Sequence, residues 1–153
     1  RPLVVRTPAS RLTLANLARS QLYGVFATLA LGMRVLDGEG VALDGMYAHG
    51  GMFRTAGVAQ RFLAAALDAP VAVARTASEG GAWGIAVLAA YTAHHGAPGT
   101  TPTSLGDYLT GEVFADATFD TAHPDPDDVA GFHTYLDTYE TGLTTVRAAV
   151  DSL

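Results

Sequence analysis

The chain has 153 residues, 15 acids against nine bases and a formal charge of −6; every base is arginine, and neither lysine nor cysteine occurs. Missing lysine excludes a Walker A phosphate loop and Schiff-base chemistry, and missing cysteine excludes disulfides, thiol nucleophiles, cysteine-ligated zinc and iron–sulfur clusters. The charge is split, with eight arginines and four acids in residues 1–75 (+4) and one arginine and eleven acids in residues 76–153 (−10), and the acidic balance speaks against a nucleic-acid binder.

The length suits one domain, able to bury about 68–70% of the surface its unfolded chain exposes. No apolar run reaches the roughly 18–20 residues of a membrane span; the nearest, Leu22 to Leu36, is broken by Gly24, Thr28, Gly32 and Arg34. No signal peptide is visible, and the opening Arg1-Pro2 suggests a trimmed or excised segment. Absent cysteine and absent signal accord with a cytoplasmic protein.

From Leu12 to Leu36, Leu14, Leu17, Ala18, Leu22, Val25, Phe26, Leu29, Met33 and Leu36 recur at three- and four-residue steps. That period predicts an amphipathic helix, with Thr13 as its N-cap. Gly24, Thr28 and Gly32 form a small-residue stripe open to close approach, and Asp37-Gly38-Glu39-Gly40 ends the helix. Leu43–His49 reads as a short strand leading into Gly50-Gly51. A second helix is expected from Thr55 to Leu67, with Val58, Ala59, Phe62, Leu63 and Ala66 inward; Asp68-Ala69-Pro70 stops it, and Val71-Ala72-Val73 alternates as a second strand.

Ser78 is the expected N-cap of a glycine-rich helix that begins at Glu79-Gly80-Gly81-Ala82-Trp83-Gly84 and runs towards His94. Residues 96–106 read as a loop, followed by a short helix over Leu105–Thr110. The last helix is the best marked: Asp125 caps it, Pro126 stands at N1, and Asp127 and Asp128 complement the positive end of its dipole. Val129, Phe132, Leu136, Tyr139, Leu143, Val146 and Val150 continue its apolar period. Helix–strand–helix–strand–helix is an α/β pattern. With a third strand candidate only at Leu3–Val5, the sheet leaves an edge that must pair with something, which suggests part of a larger domain.

Two features invite a chemical reading. The join Tyr47-Ala48-His49-Gly50-Gly51-Met52-Phe53-Arg54-Thr55 places a glycine turn between a strand and a helix. That geometry brings backbone N–H groups close to a phosphate or an adenine, and it is also the geometry of an ordinary βα turn. In Gly80-Gly81-Ala82-Trp83-Gly84, each interior glycine costs a helix about 1 kcal/mol relative to alanine. Either the helix packs closely on a neighbouring backbone or its first turn faces a ligand; Trp83 is read as packing. His49, His94, His95, His123 and His133 show no zinc-helix spacing, capping accounts for Asp125–Asp128, and Gly-x-Ser-x-Gly is absent. No catalytic base is identifiable.

The run from His49 to Val71 resembles the adenosine-binding segment of the FGGY carbohydrate kinases, the ATP-dependent sugar kinases that include xylulokinase, ribulokinase and glycerol kinase. Thr76 to Tyr91 follows at the family's spacing and looks most like the xylulokinase-type branch. Leu14 to Gly24 is similar to the preceding helix, and Asp125 to Phe132 to the start of the terminal helix. The resemblance implies the actin-like, ribonuclease-H-like α/β fold, and within it the latter part of the C-terminal domain. A separate N-terminal domain would carry most of the sugar site and the base aspartate.

Carried over, Gly50 and Gly51 would lie against the adenosine, with Met52 where many members have a third small residue. Phe53 belongs to the same nucleotide-binding turn, and Thr55 would stand near the adenine. Met52 departs from the family pattern, as does Tyr23, where many members carry glutamate. The implied reaction is transfer of the ATP γ-phosphoryl group to a ketose hydroxyl, that of xylulose or ribulose, with Mg2+ bridging the phosphates. The implied partners are ATP, a small sugar and the N-terminal domain, with no nucleic acid or membrane, and a homodimer open. The isolated fragment is expected to be inactive. Two rivals stay open: another actin-like superfamily ATPase, and a non-catalytic interaction module whose glycines serve packing.

Overall fold

The computed structural model describes residues 4–74, 80–96 and 103–152. Helix α1 spans Leu14–Gly38, and Thr13 caps it as expected, its hydroxyl accepting from the Asn16 amide at 3.1 Å. The buried face, however, is Tyr23, Phe26, Ala27 and Ala30. Leu14, Leu17, Val25, Leu29 and Leu36 of the expected stripe are exposed, Leu14 at 83%. Two neighbouring helices cover only the middle of α1, and they meet it where its small residues allow close contact. On the glycine stripe, a side chain at Gly24 would come within 3.7 Å of the Tyr135 hydroxyl, and Thr28 shares a 3.1 Å hydrogen bond with Tyr139; Gly32 faces open space.

Strand β1 covers Met46–Ala48 rather than Leu43–His49, because only these three residues find partners in β2, Val71–Ala74. The pairing is parallel, Met46 against Val71 and Ala48 against Val73. The third strand is not at Leu3–Val5: Val4 and Val5 are exposed and outside any strand, and Leu3 lies outside the described residues. It is β3, Phe119–Ala122, which runs antiparallel to β2 and gives the order β1-β2-β3.

Helix α2 spans Val58–Leu67, starting three residues after the expected Thr55. Its N-cap Gly57 has φ 77°, in the left-handed region, which a right-handed helix cannot contain. Residues Gly51–Arg54 form a separate 3-10 turn before it. Ala59, Leu63 and Ala66 face inward as expected and Phe62 is half-buried, but Val58 is exposed and Gln60 takes a buried place at 5% exposure.

Helix α3 spans Gly80–Gly96; its expected cap Ser78, with Glu79, lies outside the described residues. Helix α4, Leu105–Tyr108, runs on into a π-helical turn over Leu109–Val113, so the helical segment reaches past the expected Thr110. Helix α5 spans Pro126–Asp151, and the Asp125 carboxylate caps it by accepting from the amides of Asp127 at 3.0 Å and Asp128 at 3.2 Å. Phe132 and Leu136 are buried, whereas Leu143, Val146 and Val150 are exposed, because the second half of α5 runs beyond the helices it packs on.

The pleat divides the sheet cleanly. Met46, Ala48, Val71, Val73 and Ala122 turn to one face and join Tyr23, Phe26, Leu63, Phe132 and Leu136 in the core beneath α1, α2 and α5. Tyr23 sits at its centre, edge-on to Phe62, Phe132 and Tyr135 at 5.0–5.4 Å between ring centroids. Burying a side chain such as Val71 or Phe132 completely contributes about 1.5–3 kcal/mol, which makes this face the stable half of the fold. No helix among the described residues is long and apolar enough to cross a membrane.

Candidate functional site

Ligands of open α/β sheets bind beyond the carboxyl ends of the parallel strands. Here those are the ends of β1 and β2. Gly50 follows β1 at φ 110°, ψ 170°, a conformation that is easy for glycine and strained for other residues. The chain then closes the 3-10 turn, the Phe53 amide donating to the Gly50 carbonyl at 3.0 Å. Phe53 is half-buried and packs against the core, anchoring the turn from below. Gly51, Met52 and Thr55 are exposed on its outer side, and a side chain at Gly50 or Gly51 would meet no atom within 4 Å. The five residues singled out from the sequence therefore form one turn, with Gly51, Met52 and Thr55 exposed, Gly50 half-buried and Phe53 directed into the fold.

A cavity of about 560 Å³ lies beside this turn on the second face of the sheet, between β1–β3 and helices α3 and α4. Its walls are mostly apolar, with Tyr47, Trp83, Phe114 and Phe119 contributing rings; Tyr47 meets Phe119 edge-on at 5.2 Å and Trp83 lies 5.4 Å from Phe114. None of the five turn residues lines it. His49 does, and so joins the turn to the cavity.

The glycines at the start of α3 separate by role. A methyl group at Gly80 would lie 2.5 Å from Nδ1 and 2.8 Å from Cβ of His49, so α3 starts directly against that imidazole. Gly81 and Gly84 face open space. Close packing thus accounts for one glycine of the three.

The acidic cluster before α5 does more than cap. Asp128 also pairs with Arg61, holding the guanidinium more firmly protonated than usual through their hydrogen bond. No group of three metal-ligating side chains occurs among the described residues.

Gln60 was not among the residues singled out from the sequence, yet its amide nitrogen donates to the carbonyls of Val71 at 2.8 Å and Asp120 at 2.7 Å. Its spacing carried the signal: with Leu63, Ala64 and Leu67 it completes an i, i+3, i+4, i+7 face. The His49–Gly80 contact had no signal in the sequence.

Residues 1–93 match the family model for the C-terminal domain of the FGGY family of carbohydrate kinases. The chain belongs to the FGGY family of carbohydrate kinases. No curated protein and no solved structure matches it. The matched stretch takes in α1, the Gly50–Gly51 turn and most of α3, while the resembling Asp125–Phe132 segment lies outside it. FGGY membership implies the actin-like ATPase fold, of which the described residues form a mixed three-stranded sheet with five helices.

Proposed function

We propose that this chain is the nucleotide-binding, latter part of the C-terminal domain of an ATP-dependent ketose kinase of the xylulokinase or ribulokinase type. The N-terminal domain of the same kinase would hold the sugar and the base that activates its hydroxyl. One observation carries the nucleotide reading: the FGGY match spans a turn at the carboxyl end of a parallel strand, where Gly50 and Gly51 leave open space. Small residues there let a ligand approach the backbone.

ATP fits that opening through main-chain contacts, and it supplies the γ-phosphoryl group. Gly50 and Gly51 would bound the adenosine, Met52 and Thr55 would flank it, and Phe53 would hold the turn in place from the core. The contribution of this segment is positioning. Magnesium finds no cluster of protein ligands among the described residues, so it would be held by phosphate oxygens and by groups elsewhere in the kinase. The base would belong to the N-terminal domain of the kinase.

The reading is tested on the complete kinase by a panel of ketoses and polyols with ATP, beside a nucleotide titration followed through Trp83 fluorescence. Trp83 lines the cavity next to the turn and should report occupancy. Sugar-dependent ADP release with xylulose or ribulose preferred is the expected result. Turnover with neither ketose refutes that specificity, and no response to ATP or ADP favours a non-catalytic module.

A further inference from the structure

We infer that His49 is a positioning residue for the nucleotide turn, acting by the shape of its imidazole against Gly80. The inference rests on the nucleotide reading above. Three observations converge on it. His49 directly precedes Gly50, whose φ of 110° sets the direction of the turn. Its ring, exposed on its outer side, lies so close to Gly80 that an added methyl would be 2.5 Å from Nδ1 and 2.6 Å from Cγ. The same residue forms part of the cavity wall shared by β1, β2 and α3.

The end of β1 and the start of α3 are thus wedged against each other through one planar side chain. Moving that wedge moves the Cα from which Gly50 departs, and with it the amides of Gly51 and Met52. A displacement of about 1 Å in a positioning group can cost on the order of a hundredfold in rate. The wedge needs glycine at 80 and a flat ring at 49, and it needs nothing of the ring's basicity.

The test measures KM for ATP, KM for sugar, kcat and melting temperature in the complete kinase, for H49A, H49F, G80A and the double variant H49A/G80A. H49A and G80A should each raise KM for ATP by about tenfold or more, each tenfold being about 1.4 kcal/mol of binding, with the sugar KM unchanged. H49F should restore the unsubstituted value, since it keeps the plane. The double variant should be no worse than G80A alone, because removing the ring removes the clash. An unchanged ATP KM in H49A, a failure of H49F to rescue, or multiplying defects in the double variant overturns the inference while leaving the kinase reading intact. An unsubstituted kinase that binds no ATP overturns both.

Discussion

Gln60 reaches across from α2 to Asp120 on β3, and its amide nitrogen holds the carbonyl oxygens of Asp120 and Val71 together. Strand β3 runs through Asp120 and Thr121 with little apolar surface to turn inward, so the bond ties down a strand that hydrophobic burial holds weakly. Replacing Gln60 by methionine keeps the volume and removes the donor shared by two carbonyls. The expected loss is about 1–3 kcal/mol, read from chemical denaturation of the kinase. Q60E should be worse at neutral pH, where a carboxylate faces two acceptors, and should regain stability as acid protonates it.

Gly51 provides the cleanest test of the turn. A side chain there meets nothing within 4 Å and the residue has no positive φ, so G51L should leave the melting temperature almost unchanged. If nucleotide occupies that space, KM for ATP should rise by about tenfold or more, each factor of ten being about 1.4 kcal/mol of binding. The sugar KM should hold. An ATP KM that stays the same would remove Gly51 from the site.

Burial raises the phenol pKa of both Tyr23 and Tyr135 above the usual 10.0. A folded state that keeps these protons longer than the unfolded chain contributes stability fully present below pH 10, and it is lost as the pH rises past that value. Denaturation midpoints followed from pH 8 to about 11 should fall at the alkaline end, and Y23F and Y135F should each flatten that fall. A midpoint as steeply dependent on pH in both variants would show that other groups control it.

Asp125 accepts from two amides at the head of α5. D125A should therefore cost about 1 kcal/mol, while D125N should cost less because its side-chain oxygen can still accept. Asp127 takes no part as an acceptor in that cap, and D127A should cost only the dipole contribution, about 0.3–1 kcal/mol and screened by salt. Thermal melts of the three variants separate these outcomes.

The two longest helices, α1 and α5, were legible because each carries both an apolar period and a start signal: Thr13 and Asp125 cap the N-terminal ends expected of them. Which face a helix buries was less legible, since Leu14 and Val25 read as core and stand exposed. Period specifies that a helix has an apolar side, and only its neighbours specify how much of that side is covered. The start of α2 was misplaced because Gly57 adopts a left-handed conformation that nothing in Thr55-Ala56-Gly57 announces. Strand β3 was missed outright, its Phe-Asp-Thr-Ala having no buried alternation, so its pairing is tertiary in origin. At the candidate site the Gly50–Gly51 turn was visible as a glycine pair between strand and helix. The wedge of His49 on Gly80 was not, because it joins two residues far apart in the chain.

The mixed polarity of the sheet has a kinetic side. Strands β1 and β2 are linked through the short 3-10 turn and α2, so their parallel pairing closes early and at modest entropic cost. Strand β3 returns only after residues 75–118 have been traversed, and long closures of that kind slow the step that makes them. The sheet should therefore grow outward from its parallel pair, and amide hydrogens on β3 should exchange with solvent before those of β2. Gln60, already ordered on α2, would be the latch into which the late strand falls.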